Sequence, residues 1–125
     1  MKEETNIESL KRALRSDPFT AADRVFVQFL ADTYQEENPF ILGTAALCNA
    51  ATREGHSFLD LSSSEALLSA LLNGMDSKWP NLDEWERIVQ SSTCVGKESE
   101  GFPLVIARRS ALYLRKYYEY EETLA

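Results

Sequence analysis

The segment from Phe40 to Ala51 constrains the fold more than any other part of the chain, because it is apolar or small on nearly every side. A helix that is apolar all round is usually buried by neighbours on more than one face. Asn38-Pro39 precedes the segment, and proline is favoured in the first turn of a helix. Gly55 follows it, at the usual place of a left-handed cap. The pattern predicts a central helix around which one domain packs.

Two amphipathic helices are predicted before this central helix. The first begins at a capping box formed by Thr5 and Glu8 and ends before Pro18. The second begins after Thr20, and its apolar stripe predicts the face that is turned towards the core. The residues of this stripe are Ala22, Val25, Phe26, Phe29, Leu30, Thr33 and Tyr34. The residues predicted on its polar face are Asp23, Arg24, Gln28 and Asp32.

A short strand and two more helices follow the central helix. Residues 57–61 alternate with period two, which is typical of a strand. Ser62 and Glu65 have the spacing of a second capping box, and Asn81 with Glu84 predicts the start of a fifth helix. The predicted inward faces of these two helices are Leu67, Leu68, Leu71 and Leu72, and then Leu82, Trp85, Ile88 and Val89.

The last third of the chain predicts a hairpin. Residues 104–107 and 111–114 read as two strands joined by Arg108-Arg109-Ser110, and residues 115–124 begin a helix. With the strand at 57–61, the hairpin can form a small three-stranded antiparallel sheet. The predicted fold class is mainly α within α+β: about five to six helices packed with that sheet, in one domain spanning 1–125. An elaborated winged helix has the same inventory of elements and remains a fold-level alternative.

The net charge and the missing motifs argue against nucleic-acid binding, nucleotide binding and catalysis by this chain. The net charge of −7 repels phosphates, whereas nucleic-acid binding depends on Lys and Arg. Gly96-Lys97 is followed by Glu98, so the phosphate-binding loop GxxxxGK[ST] does not occur, and GxGxxG is missing as well. His56 is the single histidine, and along a strand it lies on the opposite face from Ser57. We therefore predict no catalytic residue, no cofactor and no metal.

The cysteines and the hydropathy pattern predict a cytoplasmic protein. Cys48 and Cys94 are expected to be reduced thiols. No apolar stretch approaches the roughly 20 residues of a membrane span, and the first residues have no apolar signal-peptide core.

Aromatic and basic residues are interleaved near the end of the sequence. Such a mixture can bind single-stranded nucleic acid, form a protein interface or belong to the core. Three glutamates in the same stretch weigh against nucleic acid. The residues that we predict as a possible partner interface are Tyr113, Arg115, Tyr117, Tyr118 and Tyr120.

Two stretches of the chain resemble the N-terminal domain of RecD, the alpha subunit of exodeoxyribonuclease V in the RecBCD helicase–nuclease family. The first is the small-residue helix from Ala45 that leads through Glu54-Gly55-His56 into the strand ending at Leu61. The second runs from Pro103-Leu104-Val105 to the Leu112–Glu121 stretch. The resemblance covers roughly residues 18–125. Phe58 departs from it, because the family often has a cysteine in this strand.

The resemblance implies a docking role. The parent protein would be an ATP-dependent 5′ to 3′ DNA helicase in double-strand break repair and recombination, with its Walker motifs in motor domains that this chain does not include. The N-terminal domain would join that motor to a RecC-like gamma subunit, and DNA would be contacted only by the motor. The alternative function is a winged-helix-like nucleic-acid-binding module that uses the basic hairpin and tail.

Overall fold

The computed structural model describes residues 2–56, 58–63, 65–73, 79–96, 104–107 and 111–114. Within these ranges the chain forms five α-helices and four short strands. The helices are α1 (Lys2–Ala13), α2 (Ala21–Thr33), α3 (Pro39–Arg53), α4 (Glu65–Asn73) and α5 (Leu82–Gln90). The strands are β1 (Leu59–Asp60), β2 (Val95–Gly96), β3 (Leu104–Ala107) and β4 (Ala111–Leu114). A single turn of 3-10 helix at Leu61–Ser63 follows β1.

Helix α3 is the centre of the domain, as its composition predicts. It packs against α1, α2, α4, α5, β1 and β4, and eleven of its 15 residues are buried. Gly43 allows a close approach: a Cβ at this position would lie 3.0 Å from the Trp79 ring and 3.2 Å from the Leu71 side chain. Because Gly43 has no side chain, Trp79 and Leu71 can both pack against α3 at this position. The five helices and the small sheet confirm the predicted mainly α class.

Both ends of α3 are capped by the residues that the sequence predicted. The Asn38 side chain accepts a hydrogen bond from the Phe40 N–H at 2.9 Å, with Pro39 in the first turn. At the other end, Gly55 has φ of +100°. The His56 N–H then donates to the Ala51 carbonyl at 3.0 Å, and the Gly55 N–H to the Thr52 carbonyl at 3.1 Å. These two bonds are the Schellman arrangement, which satisfies carbonyls that a helix end otherwise leaves unpaired.

Three helix details differ from the sequence-based expectations. Helix α1 begins at Lys2, so Thr5 lies inside it rather than at its N-cap. Glutamates are good helix formers and suit the first turn, which explains the earlier start. Ser62 does not cap α4, because its hydroxyl donates to Asp60 at 2.6 Å within the 3-10 turn. Leu82, expected to face inward, is 40% exposed at the first residue of α5.

The sheet has the order β1-β4-β3-β2. β3 and β4 form the predicted antiparallel hairpin, with Leu104 opposite Leu114 and Ala107 opposite Ala111. The strand expected at 57–61 is reduced to the two residues of β1, which pair antiparallel with β4. β2 was not predicted from the sequence, and it pairs in parallel with β3, so the sheet has four strands instead of the predicted three and is not wholly antiparallel. The joining residues 108–110 and the helix predicted at 115–124 lie outside the described residues.

The sheet is joined to the helical core through β4. Leu112 is fully buried, and the Cys48 thiol of α3 donates to its carbonyl at 3.4 Å. Burial raises the pKa of the Cys48 thiol to about 12. In the part of the chain that is described, no helix is long and apolar enough to cross a membrane.

Candidate docking surface

The outer face of α2 carries the most exposed large apolar side chains among the described residues. Val25 is 68% exposed and Phe29 is 47% exposed, and Ala22 lies one turn before them. Phe29 is steadied by an edge-to-face contact with Tyr34, with ring centroids 6.2 Å apart. We call Ala22, Val25 and Phe29 the outer stripe. The sequence predicted these residues on the core side of the helix, and that prediction is wrong.

Helix α2 is rotated about its own axis relative to the orientation that the sequence predicted, because the carboxylate of Asp23 lies on its inner face. Its buried residues are Asp23, Val27 and Leu30. This face is displaced by about one residue from the predicted stripe, which is roughly 100° around a helix with 3.6 residues per turn. Phe26, predicted in the stripe, is only partly buried. The apolar pattern alone suggested the wrong orientation, because Asp23 was assigned to solvent.

Asp23 is completely buried and holds α2 against the end of α3. One carboxylate oxygen accepts hydrogen bonds from Arg53 Nη1 and Asn49 Nδ2, both at 2.7 Å. The other accepts from Arg53 Nη2 at 2.8 Å and from the Thr20 N–H at 2.9 Å. Arg53 Nη2 also donates to the Pro18 carbonyl at 3.0 Å. A bidentate arginine–carboxylate pair of this kind determines the relative orientation of the two side chains as well as their distance.

The protonation of Asp23 follows from this geometry. Burial alone raises the pKa of the carboxyl, but the hydrogen bonds from Arg53, Asn49 and Thr20 and the charge of Arg53 outweigh it, so that the pKa lies below its ordinary value. The carboxylate therefore stays ionised and keeps its partner at neutral pH. No local pattern in the sequence reveals this role, because Asp23 and Arg53 are 30 residues apart.

A cleft of about 390 Å³ separates α1 from α2, and both helices pack on α3 around it. Its apolar lining consists of Ile7, Leu10, Leu14, Val27, Ala31 and Leu42. Charged residues surround the lining. The basic ones are Lys11, Arg15 and Arg24, near the end of α1 and the start of α2, and the acidic ones are Glu36 and Glu37, from the loop after α2. The cleft was not predicted from the sequence, since it depends on how the two helices are spaced on α3.

Only one of the five predicted interface residues falls within the described part of the chain. Tyr113 lies in β4, is 7% exposed, and packs on Phe58 with ring centroids 5.0 Å apart. Arg115, Tyr117, Tyr118 and Tyr120 lie outside the described residues. Their role at an interface stays a prediction.

His56 is exposed at a second cleft of about 380 Å³, which Asp60 and Ser63 also line. Asp60 Oδ1 accepts hydrogen bonds from the Ser62 N–H at 3.0 Å and from the Ser62 hydroxyl at 2.6 Å. This carboxylate oxygen is thus engaged in the local turn. Among the described side chains, no group of three or more His, Cys, Asp or Glu residues could hold a metal ion.

Residues 16–113 match the family model of the N-terminal domain of RecD, a subunit of the RecBCD enzyme. The match spans well over half of the 125 residues and includes α2, α3 and most of the hairpin. The chain belongs to the RecD N-terminal domain family. A search among curated proteins gives no match.

Proposed function

We propose that this chain is a docking domain that joins a RecD motor to a RecC-like gamma subunit and has no catalytic activity of its own. The parent protein is then an ATP-dependent 5′ to 3′ DNA helicase of a cytoplasmic complex for double-strand break repair and recombination. Membership of the RecD N-terminal domain family supports this proposal, because the family is defined as part of a multisubunit enzyme.

The observation that carries the docking role is the outer stripe. A helix with an apolar face on each of two sides needs cover on both. Within the part of the chain that the structure describes, α3 covers the inner face and the outer stripe stays exposed. Contiguous exposed apolar side chains on a folded domain mark sites of interaction with other proteins. Phe29 is an aromatic of the kind that contributes strongly at interface centres. The outer stripe is therefore the surface that we assign to the partner.

The test measures binding of this chain to the purified gamma subunit of the same organism by calorimetry. Val25→Ser and Phe29→Ser together should weaken binding at least tenfold, because central apolar contacts carry roughly 2 kcal/mol or more each. Leu82→Ser is the matched control, since it removes an exposed leucine from α5, and should change the affinity less than about twofold.

Unchanged affinity in the Val25/Phe29 variant, with the helical circular dichroism spectrum preserved, would remove the outer stripe from the interface. A second titration with single-stranded DNA at low salt addresses the alternative function. Salt-sensitive DNA binding that is lost on Arg108→Glu and Arg109→Glu would favour the nucleic-acid-binding module over the docking domain.

A further inference from the structure

We propose that the cleft between α1 and α2 receives one segment of the docking partner, with apolar side chains flanked by a carboxylate at one end and a basic group at the other. This inference rests on the proposed docking function, and it assigns the cleft a role separate from that of the outer stripe. It follows from the shape of the cleft, from its lining and from the order of the charges along it.

The lining is preformed and apolar. Leu10, Leu14, Val27 and Leu42 are each at least nine-tenths buried, so they are held in place by the core and form a rigid floor. Ile7 and Ala31 are partly exposed at the sides. A volume of about 390 Å³ is near the lower limit for pockets that bind small molecules, which suits a few side chains of a segment rather than a large ligand.

The basic end lies where α1 ends and α2 begins. Arg24 Nη1 donates to the Leu14 carbonyl at 3.0 Å, which fixes the guanidinium beside Arg15. Lys11 lies one turn earlier on α1. Arg15 and Arg24 thus place two cations near this end of the cleft, and Lys11 adds a third one turn away, in a chain whose net charge is −7. This local reversal of sign favours a carboxylate on the partner at this end.

The acidic end lies beyond the last turn of α2. Glu36 is positioned by a hydrogen bond from the Asn38 N–H at 3.1 Å and another from the Ser92 hydroxyl at 2.6 Å, and Glu37 is exposed beside it. From Arg24 to Thr33, α2 rises roughly 13 Å at 1.5 Å per residue. That exceeds the screening length of about 8 Å at physiological ionic strength, so each end attracts its own counter-charge.

Charge complementarity therefore determines the direction in which the segment lies. A carboxylate at the Arg15 end and a basic group at the Glu37 end are both favourable, whereas the reversed direction places like charges together at both ends. Such arrangements contribute more to specificity and association rate than to affinity alone. The outer stripe supplies apolar contact, and the cleft selects the orientation of the partner.

Three variants of this chain test the cleft against the purified gamma subunit. Ala31→Trp fills the cleft and should weaken binding more than about tenfold, because the partner's apolar side chains lose their space. Arg15→Glu and Glu37→Lys should each weaken binding roughly three- to tenfold at low salt, and less at high salt. Arg87→Glu and Glu84→Lys are the matched controls on the exposed surface of α5, and should leave the affinity within about twofold.

A photo-cross-linking residue at Gln28, which is exposed on the wall of the cleft, identifies the occupant. The cross-linked gamma peptide is expected to contain apolar residues between an acidic and a basic residue. A peptide without that pattern, a cross-link to a second copy of the chain, or full affinity in Ala31→Trp would overturn the inference and leave the docking function intact. If the unaltered chain does not bind the gamma subunit at all, both proposals fail together.

Discussion

The two sides of α3 are covered in different ways. On one side α2 is held by a partly buried ion pair, in which Arg53 donates two hydrogen bonds to the buried carboxylate of Asp23. On the other side α5 and Trp79 are held by aromatic packing: the Trp79 ring lies edge-on to Trp85 at 5.5 Å and to Phe40 at 5.3 Å between centroids. The Trp85 indole N–H donates to the Thr44 hydroxyl at 2.8 Å.

The two kinds of contact differ in what they determine: one mainly the stability of the domain, the other mainly the orientation of α2. Burying aromatic surface contributes strongly to the free energy of folding but tolerates small changes in angle. The ion pair contributes little net stability, because the buried carboxylate of Asp23 loses its hydration on folding, yet its geometry accepts few orientations. The polar side of α3 therefore determines how α2 is rotated, and that rotation leaves the outer stripe exposed. The aromatic side supplies more of the free energy that keeps the domain folded.

The largest expected effect comes from the aromatic side. Trp85→Ala should lower the free energy of unfolding by about 4 kcal/mol, since it removes a buried indole and leaves a cavity next to α3. Urea denaturation followed by circular dichroism measures the change. Trp85→Phe keeps most of the ring and should cost less than half as much. A loss below about 1 kcal/mol in Trp85→Ala would contradict the assignment of stability to this side.

A smaller loss is expected when the ion pair is broken. Arg53→Ala leaves the buried carboxylate of Asp23 without its cation, which should cost about 3 kcal/mol. Asp23→Ala should cost less, because the side chain of Arg53 is 35% exposed and can turn to water. The same urea titration ranks the two variants. Equal losses would show that the carboxylate is not the more demanding partner.

The smallest effect is a dependence on pH. The pKa of Asp23 is lower in the folded chain than its ordinary value of about 4, so the unfolded chain binds the proton more tightly. The stability from this carboxylate is therefore fully present above about pH 4 and is lost as the pH falls through the folded pKa. The difference in unfolding free energy between the unaltered chain and Asp23→Asn should shrink between pH 7 and pH 3. A constant difference would mean that Asp23 does not titrate as the hydrogen bonds require.

Local signals predicted the ends of the central helix better than the faces of its neighbours. Asn38, Pro39 and Gly55 act on backbone groups within a few residues, so their effect can be read directly along the chain. The burial of Asp23 and the exposure of Val25 depend on Arg53, which lies 30 residues further along than Asp23. The apolar periodicity of α2 carries no information about a residue that is 30 positions away, and so it predicted the wrong side of α2 in the core.

The sequence by itself determined the class of the fold, the central position of α3, the hairpin and the resemblance to the RecD N-terminal domain. These depend on apolar periodicity, caps and turn residues, which act over one or two helical turns. The tertiary structure alone decided the rotation of α2, the exposure of the outer stripe, the cleft beside α1 and the parallel pairing of β2. Each of these requires side chains or strands from distant parts of the chain to meet, and their free energies are determined only once both partners are in place.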